Sequence, residues 1–208
     1  MTNRKDRILI DAGPSLNFFA CNQERLLLKT VGALAMPETV RDEIMNKARQ
    51  TRFAPAKRTL DRLPESLLQI LCDDATPEMT NAVFALQSTT LQERLGRRKD
   101  LGELMVISHG FIRAKQGMDV ILMIDDQQGQ RLAMRAKNII CQLKANNPAV
   151  GSLGLTGTIQ VLEKAARRKI ISSKNEMRAL YERMRLLDDG LVHIDQTGLL
   201  RSEIWDRQ

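Results

Sequence analysis

The chain has 208 residues, of which 43% are hydrophobic and 27% are charged. These fractions are close to those of ordinary globular proteins, so they exclude the disordered and fibrous classes. The length fits one domain, or one domain with an appendage. Aromatic residues make up only 3%. A core of aliphatic side chains and methionine favours helices packed on a short sheet over an aromatic-rich β-sandwich.

The net charge of +7 favours a polyanionic partner, because clustered Lys and Arg gain affinity by releasing counterions from phosphates. Nucleic acid is the partner that we expect. The alternative is an ordinary solvated surface, since charge alone is a non-specific guide to partners.

The cysteines and the N-terminal segment predict the cellular compartment. Three widely spaced cysteines, Cys21, Cys72 and Cys141, indicate neither a disulfide framework nor a paired zinc motif. The first apolar stretch is interrupted from Asp11 onward, so we expect no secretory signal. No run is long enough to span a membrane. We therefore expect a cytoplasmic protein.

The first half of the chain alternates short apolar runs with segments of helical period, which predict strands and helices respectively. In chain order we predict a strand at 7–10, a helix from near Pro14, a strand at 33–36, a helix from Pro37, a helix at 56–63, a strand at 67–72 and a helix at 77–95. Residues 49–98 are rich in Arg and Lys, and we interpret them as a helical basic insertion.

The second half continues the alternation. It predicts, in chain order, a helix at 101–115 ending at Gly117, a strand at 120–124, a helix after Asp126, a short strand near Val150, helices at 156–168 and 174–187, and a strand-like piece followed by a helix in the tail 191–208. The apolar run 120–124 is the clearest buried parallel strand. Alternating strands and helices predict the α/β class, with a parallel sheet covered on both faces.

Carboxylates follow two of the predicted strands and lie on two of the predicted helices. Asp11 ends the first strand, Asp125 and Asp126 follow the strand at 120–124, and Glu43 and Glu103 lie on helices. The carboxyl ends of parallel strands form a binding crevice, so these acids can converge there. Converging carboxylates raise one another's pKa unless a cation neutralises them. Mg²⁺ or Mn²⁺ is the natural partner of such an all-oxygen site.

Each acid also has an ordinary structural interpretation when it is taken singly. Asp126 is suited to cap the helix that follows it. The helix macrodipole favours Glu103 in a first helical turn. The two histidines, His109 and His193, do not indicate an imidazole zinc site, and we interpret them as surface or structural residues.

Four sequence blocks, taken in order, resemble the conserved blocks of PIN domains, most closely the bacterial branch of the VapC toxin type. They are residues 8–17, 37–43, 100–103 and 124–133. The third carries a Gly-Glu pair and the fourth an Asp-Asp pair followed by Gly129 and Arg131. Residues 154–159, followed by an Ala-rich helix, are also similar to that branch.

The resemblance implies a three-layer α/β/α sandwich with a parallel sheet of about five strands and a metal-dependent endoribonuclease site. The implied catalytic and metal-binding acids are Asp11, Glu43, Glu103 and one of Asp125 and Asp126. Ser15, Asn17 and Asp100 are expected to support these acids. The residues expected to hold the RNA backbone, or else to form a solvated charge run, are Arg97, Arg98, Lys99 and Arg131. We expect a PIN-like catalytic domain over 1–150 and a C-terminal helical extension over 151–208 packed on the same domain.

The expected function is hydrolysis of RNA phosphodiesters with Mg²⁺ or Mn²⁺. The resemblance further implies that the protein is the toxin of a toxin–antitoxin pair, that it binds an antitoxin protein and that it forms a homodimer. One alternative is a catalytically inactive PIN-like protein that binds nucleic acid or acts as a scaffold. A receiver-like phospho-accepting domain also groups acids around Mg²⁺, but it needs a Lys after the last strand and an acceptor Asp on the third, and neither is evident.

Overall fold

The computed structural model describes residues 7–97, 99–187 and 190–205. The strands in these ranges are β1 (Ile8–Ile10), β2 (Leu34–Pro37), β3 (Leu68–Leu71), β4 (Val120–Met123) and β5 (Leu153–Thr156). They form a parallel sheet in the order β3-β2-β1-β4-β5, with β1 at the centre. Helices pack on both sides of the sheet, which confirms the predicted α/β sandwich. The strand order is compatible with a PIN-like fold.

Helices connect the strands and cover the sheet. In chain order they are α1 (Ala12–Ala20), α2 (Glu24–Val31), α3 (Glu38–Lys47), α4 (Ala54–Arg62), α5 (Pro77–Gln87), α6 (Leu91–Leu95), α7 (Leu101–Lys115), α8 (Gln127–Asn146), α9 (Thr158–Arg167), α10 (Lys174–Arg185), α11 (Ile194–Thr197) and α12 (Ser202–Trp205), with a 3-10 turn at Thr51–Phe53. No helix in the described ranges is long and apolar enough to cross a bilayer.

The single helix predicted at 77–95 is two helices, α5 and α6. Ser88 adopts a left-handed conformation with φ of 55° and ends α5. Thr90 and Glu93 then form a capping box that starts α6, in which each side chain accepts a hydrogen bond from the backbone N–H of the other. This reciprocal cap satisfies two backbone donors that a continuous helix would pair internally.

The tail contains a second difference from the predicted elements. The strand-like piece expected at its start is wrong for residues 190–205, where the chain forms the short helices α11 and α12. His193 accepts a hydrogen bond from the backbone N–H of Asp195 at the start of α11. Gly198, with φ of 75°, ends that helix. The predicted strand near Val150 lies slightly further along, as β5.

Strand β5 lies beyond residue 150 and pairs with β4 over its whole length, from Val120–Leu153 to Met123–Thr156. The sheet therefore runs across the predicted boundary between 1–150 and 151–208, and the division into two parts stays a prediction. The basic segment 49–98 holds the edge strand β3 as well as helices α4 to α6.

Helix α7 sets the position of the helical acids relative to the sheet. It contacts β1, β2, β4 and β5. A Cβ atom placed on Gly110 would be 2.6 Å from Cδ2 of Leu122 in β4. The absence of a side chain at Gly110 thus lets α7 lie unusually close to the sheet. Its first turn is thereby brought to the carboxyl ends of β1 and β4.

This packing predicts that Gly110→Ala destabilises the protein by about 1–3 kcal/mol, because the added methyl group must displace Leu122 in a filled core. Gly96→Ala is a suitable control. Gly96 follows α6 with ordinary helical dihedral angles, and a Cβ there would be 3.5 Å from the nearest atom, the carbonyl oxygen of Glu93. The control should change stability by less than about 1 kcal/mol. Urea unfolding measures both, and equal effects would contradict the close packing of α7.

Candidate metal centre

The strand order places a crevice between the ends of β1 and β4. From β1 the chain builds the sheet in one direction through β2 and β3, and then returns to add β4 and β5 on the other side. The loops after β1 and β4 therefore lead away from each other, which is the usual position of a binding site in an open parallel sheet. Asp11 lies at this point, and its backbone N–H donates to the carbonyl of Met123 in β4 at 3.1 Å.

Asp11 is a buried acid, with only 5% of its surface exposed. Its Oδ1 atom has no hydrogen-bond partner. Burial raises the pKa of Asp11 from 3.8 to about 7; the backbone N–H groups of Ala12 and Gly13 oppose the rise, while the charge of Glu43 adds to it. A buried carboxylate with an open lone pair is costly unless a proton or a cation accompanies it.

Glu43 approaches Asp11 from helix α3. It precedes the buried Ile44 and is itself half-buried. A Cβ atom on Gly102, in the first turn of α7, would be 3.1 Å from Oε2 of Glu43 and 3.7 Å from Oδ1 of Asp11. Both carboxylates thus lie beside the same position of Gly102, where the absence of a side chain leaves room for them. The other oxygen of Glu43 is 2.9 Å from Nζ of Lys47.

Glu103 lies among several other acids. Burial, and after it the charges of four neighbouring carboxylates, raise its pKa from 4.5 to about 8. In order of decreasing effect, these are Asp11, Asp126, Asp100 and Glu43. A Cβ atom on Gly129, at the start of α8, would be 2.8 Å from Oε2 of Glu103. The glycine at 129 therefore lets the start of α8 pack against Glu103 as it now lies.

The adjacent Asp125 and Asp126 have different surroundings. Asp126 is exposed, and its Oδ1 accepts hydrogen bonds from the backbone N–H groups of Gln128 at 2.6 Å and Gly129 at 3.1 Å. It therefore caps α8, as its structural interpretation predicted. The charge of Asp126 is among those that raise the pKa of Glu103.

The carboxylate of Asp125 joins three elements of the fold. Its Oδ1 accepts a hydrogen bond from the backbone N–H of Thr158 at 2.7 Å. Its Oδ2 accepts bonds from the Thr158 hydroxyl and from Nδ2 of Asn17 at 3.2 Å. Asp125 thus ties the end of β4 to the start of α9 and to α1.

The three residues that were expected to support the acids make different contacts. The Ser15 hydroxyl donates to the backbone carbonyl of Asp11 at 2.7 Å, not to its carboxylate. Asn17 donates to Asp125 and to the Thr158 hydroxyl. Asp100 precedes α7 in a left-handed conformation and accepts a 3.4 Å hydrogen bond from Nε2 of Gln128. Its charge is among those that raise the pKa of Glu103.

The residues predicted to hold RNA are spread along two segments. Arg97 and Lys99 are exposed just before α7, and Arg131 is exposed on α8. Lys99 lines a groove that also contains Glu43 and Asp100. Arg98 lies outside the described residues. The RNA-binding role of all four stays a prediction.

Both histidines make structural contacts. Nε2 of His109, on α7, is 2.8 Å from Oδ1 of Asp73. The other oxygen of Asp73 accepts bonds from the backbone N–H and the hydroxyl of Thr39. This cluster ties α7 and α3 to the segment after β3. His193 caps α11.

In the described part of the chain, no three His, Cys, Asp or Glu side chains are grouped closely enough to hold a metal ion as they stand. Protein donors already pair with several of the carboxylates, for example Lys47 with Glu43 and the start of α8 with Asp126. The donor set still fits a hard divalent cation, because it consists of carboxylate oxygens and includes the unpartnered Oδ1 of Asp11. Rotation of the longer side chains would be needed to complete a coordination shell.

Sequence reasoning missed several residues that shape this site. Lys47 is four residues after Glu43, a helical spacing that could have identified the ion pair. Thr158 lies in the block 154–159 that resembles the PIN branch, but no role was expected for it. Gly102 and Gly129 touch carboxylates from other elements, and no local pattern reveals such contacts.

The fold and the site define an α/β protein with acids gathered at the switch point of a parallel sheet. Comparison with protein-family models, with curated proteins and with solved structures finds no match to the chain. Function must therefore be argued from the geometry of the site itself.

The raised pKa values predict how stability depends on pH without metal. Asp11 and Glu103 hold their protons more tightly in the folded chain, with pKa values of about 7 and about 8 against 3.8 and 4.5. Their contribution to the free energy of unfolding is therefore complete below about pH 4 and is lost as the pH rises to about 8. Asp11→Asn should flatten this decline and stabilise the metal-free protein at pH 8 by on the order of 2 kcal/mol. Urea unfolding across this pH range provides the measurement. If the free energy of unfolding depended on pH in the same way in both proteins, the raised pKa of the buried Asp11 would be contradicted.

The different surroundings of Asp125 and Asp126 predict different costs of neutralisation. Asp125→Asn puts an amide N–H₂ where donors now point, so it should cost about 1–3 kcal/mol at pH 7. Asp126→Asn keeps a good helix cap and should cost less than about 1 kcal/mol, but it removes charge beside Glu103. Urea unfolding in metal-free buffer distinguishes the pair. A loss at Asp126→Asn as large as that at Asp125→Asn would show that these assignments are wrong.

Proposed function

We propose that this protein is a metal-dependent endoribonuclease of PIN type that hydrolyses RNA phosphodiesters with Mg²⁺ or Mn²⁺. One observation carries the proposal: the buried Asp11 presents an unpartnered carboxylate oxygen at the end of the central strand, and its charge and those of Asp126, Asp100 and Glu43 all act on the nearby Glu103. Gathering acids around a buried carboxylate in this way opposes folding unless a cation compensates for their charge. A stable protein has reason to keep such an arrangement if the arrangement binds an ion.

Asp11, Glu43, Glu103 and Asp126 would hold the ion, with Asp125 fixing the end of β4 beside them. A hard divalent ion supplies a bound water of lowered pKa and stabilises the negative charge that develops on the phosphodiester. Asp11 is suited to be the central ligand because the paired strands β1 and β4 hold its backbone. Glu43 and Glu103 reach the same place from α3 and α7.

The acids also link metal binding to protons. Without metal, Glu103 with a pKa of about 8 keeps its proton through the neutral range. Binding of a divalent cation requires the ionised form and so displaces that proton. The site should therefore bind metal more tightly as the pH rises from 6 to about 8, since less proton must be displaced.

The substrate class follows from charge and from the resemblance. The net charge of +7 favours a polyanion, and Lys99 lies in a groove beside Glu43 and Asp100. The four sequence blocks that resemble those of PIN domains favour RNA hydrolysis. The toxin–antitoxin role, the antitoxin partner and the homodimer rest on the resemblance alone. The receiver-like alternative is disfavoured because receiver domains have the strand order 2-1-3-4-5, unlike the order 3-2-1-4-5 found here.

A second candidate is a catalytically inactive PIN-like protein that binds nucleic acid or acts as a scaffold. The observation that favours it is the pairing of Glu43 with Lys47 and of Asp126 with the start of α8, since acids held in this way need no metal. The two candidates differ in metal affinity. An active site of the proposed kind should raise the melting temperature when Mg²⁺ or Mn²⁺ is added, because the ion binds only the folded state.

The direct test is cleavage of mixed RNA by the purified protein with Mg²⁺ or Mn²⁺, followed on denaturing gels. Asp11→Asn should reduce the rate at least about 100-fold, because the central ligand is lost. EDTA should abolish cleavage. Glu163→Gln is the matched control, since it neutralises an acid on α9 that pairs with Arg167. Equal cleavage by wild type and Asp11→Asn would indicate a contaminant or another site and would contradict the proposal.

A further inference from the structure

A groove of about 850 Å³ lies beside the candidate metal centre. Its walls are α3 and the segment that opens α7, and it is lined by Lys47 and Gln50 on one side and by Lys99 and Asp100 on the other. Glu43 and Gly102 also line it, and these two residues adjoin Asp11. Its volume is within the range of pockets that enclose small ligands. A chain lying in this groove would reach the acids.

Lys47 lies where the groove meets the acids. Its Nζ atom is 2.9 Å from Oε1 of Glu43, while Oε2 of the same carboxylate lies toward Gly102 and Asp11. The positive charge of Lys47 also acts to lower the pKa of Asp11. Lys47 thus partly neutralises the charge of Glu43, which we propose as a metal ligand.

This ion pair is of a kind that exchanges readily. The side chains of Lys47 and Glu43 are 45% and 39% exposed, and exposed pairs at this helical spacing contribute little to stability. A divalent cation on Glu43 would attract the carboxylate more strongly and repel the ammonium group. Lys47 would then be free to bind a different anion within reach of the groove.

We propose that Lys47 exchanges partners during function: it holds Glu43 in the metal-free protein and binds a phosphate oxygen of RNA in the groove once the metal is bound. The inference rests on the proposed function and adds a substrate-binding residue to it. Lys47 would couple the two ligands, since the metal releases the cation that the polynucleotide then engages.

The exchange predicts opposite effects of Lys47→Gln on the two ligands. Without RNA, the variant should need about twofold less Mg²⁺ for the same rise in melting temperature, because a competing cation is gone. With Ca²⁺ as a hard oxygen-binding ion, it should bind a fluorescein-labelled 12-residue oligouridylate roughly tenfold more weakly, because a charged hydrogen bond is lost. The salt dependence of that binding, measured by fluorescence anisotropy, should decrease by about one ion. In EDTA the variant and wild type should bind the oligonucleotide alike.

Two variants serve as controls. Lys47→Arg keeps the charge and should retain most oligonucleotide binding. Arg167→Gln removes a cation from an equivalent pair on α9, in which Arg167 lies 2.7 Å from Glu163 with exposures of 44% and 38%. This control should leave both the Mg²⁺ response and oligonucleotide binding unchanged.

The outcomes separate the inference from the function on which it rests. Tighter Mg²⁺ binding together with weaker oligonucleotide binding by Lys47→Gln supports the exchange. The exchange is overturned if wild type and Lys47→Gln respond alike to Mg²⁺. It is also overturned if Lys47→Gln binds both Mg²⁺ and the oligonucleotide more weakly. Neither result contradicts the metal centre. A wild type whose melting temperature does not respond to Mg²⁺ or Mn²⁺ overturns the metal centre and the exchange together.

Discussion

The burial of the Asp11 carboxylate is the constraint on which the rest of the site depends. Its backbone is held by β4 at the centre of the sheet, and its Oδ1 has no protein partner. Water cannot solvate it there, so its pKa rises to about 7. A nearby positive charge stabilises the ionised form of such a buried carboxylate. The Lys47 ammonium group supplies part of this stabilisation, and a divalent cation is proposed to supply the rest.

Three glycines allow the close packing that places the other acids near Asp11. Gly110 lets α7 lie against Leu122, Gly102 leaves room for Glu43 beside Asp11, and Gly129 lets the start of α8 reach Glu103. A β-carbon at any of the three would displace a neighbouring side chain or crowd it. Helix packing and site geometry therefore depend on the same small residues. The positions of the helical acids depend on how closely α7 and α8 pack against their neighbours.

The sequence predicted the fold class well and the elements at 8–10, 34–37, 101–115 and 120–123 closely. Those segments have a strong apolar period or run, which is a local property of the chain. It did not predict α2, whose eight residues are too few to show a clear period, or the break at Ser88, where a left-handed residue and a capping box interrupt continuous helical pattern. For Asp126 it left cap and ligand open; the cap is observed, and the ligand role stays a proposal.

By itself the sequence determined the alternation of strands and helices and the placing of Asp11 and Asp125 at strand ends. Periodicity and strand termination depend on residues that are close together in the chain. Only the tertiary structure decided that β1 is central, that Asp125 is bound by Thr158 and Asn17, and that Glu103 is surrounded by other acids. These facts depend on contacts between distant residues, for example the 108 positions that separate Asn17 from Asp125. Desolvation and charge–charge repulsion act through space, so no local pattern in the chain can encode their size.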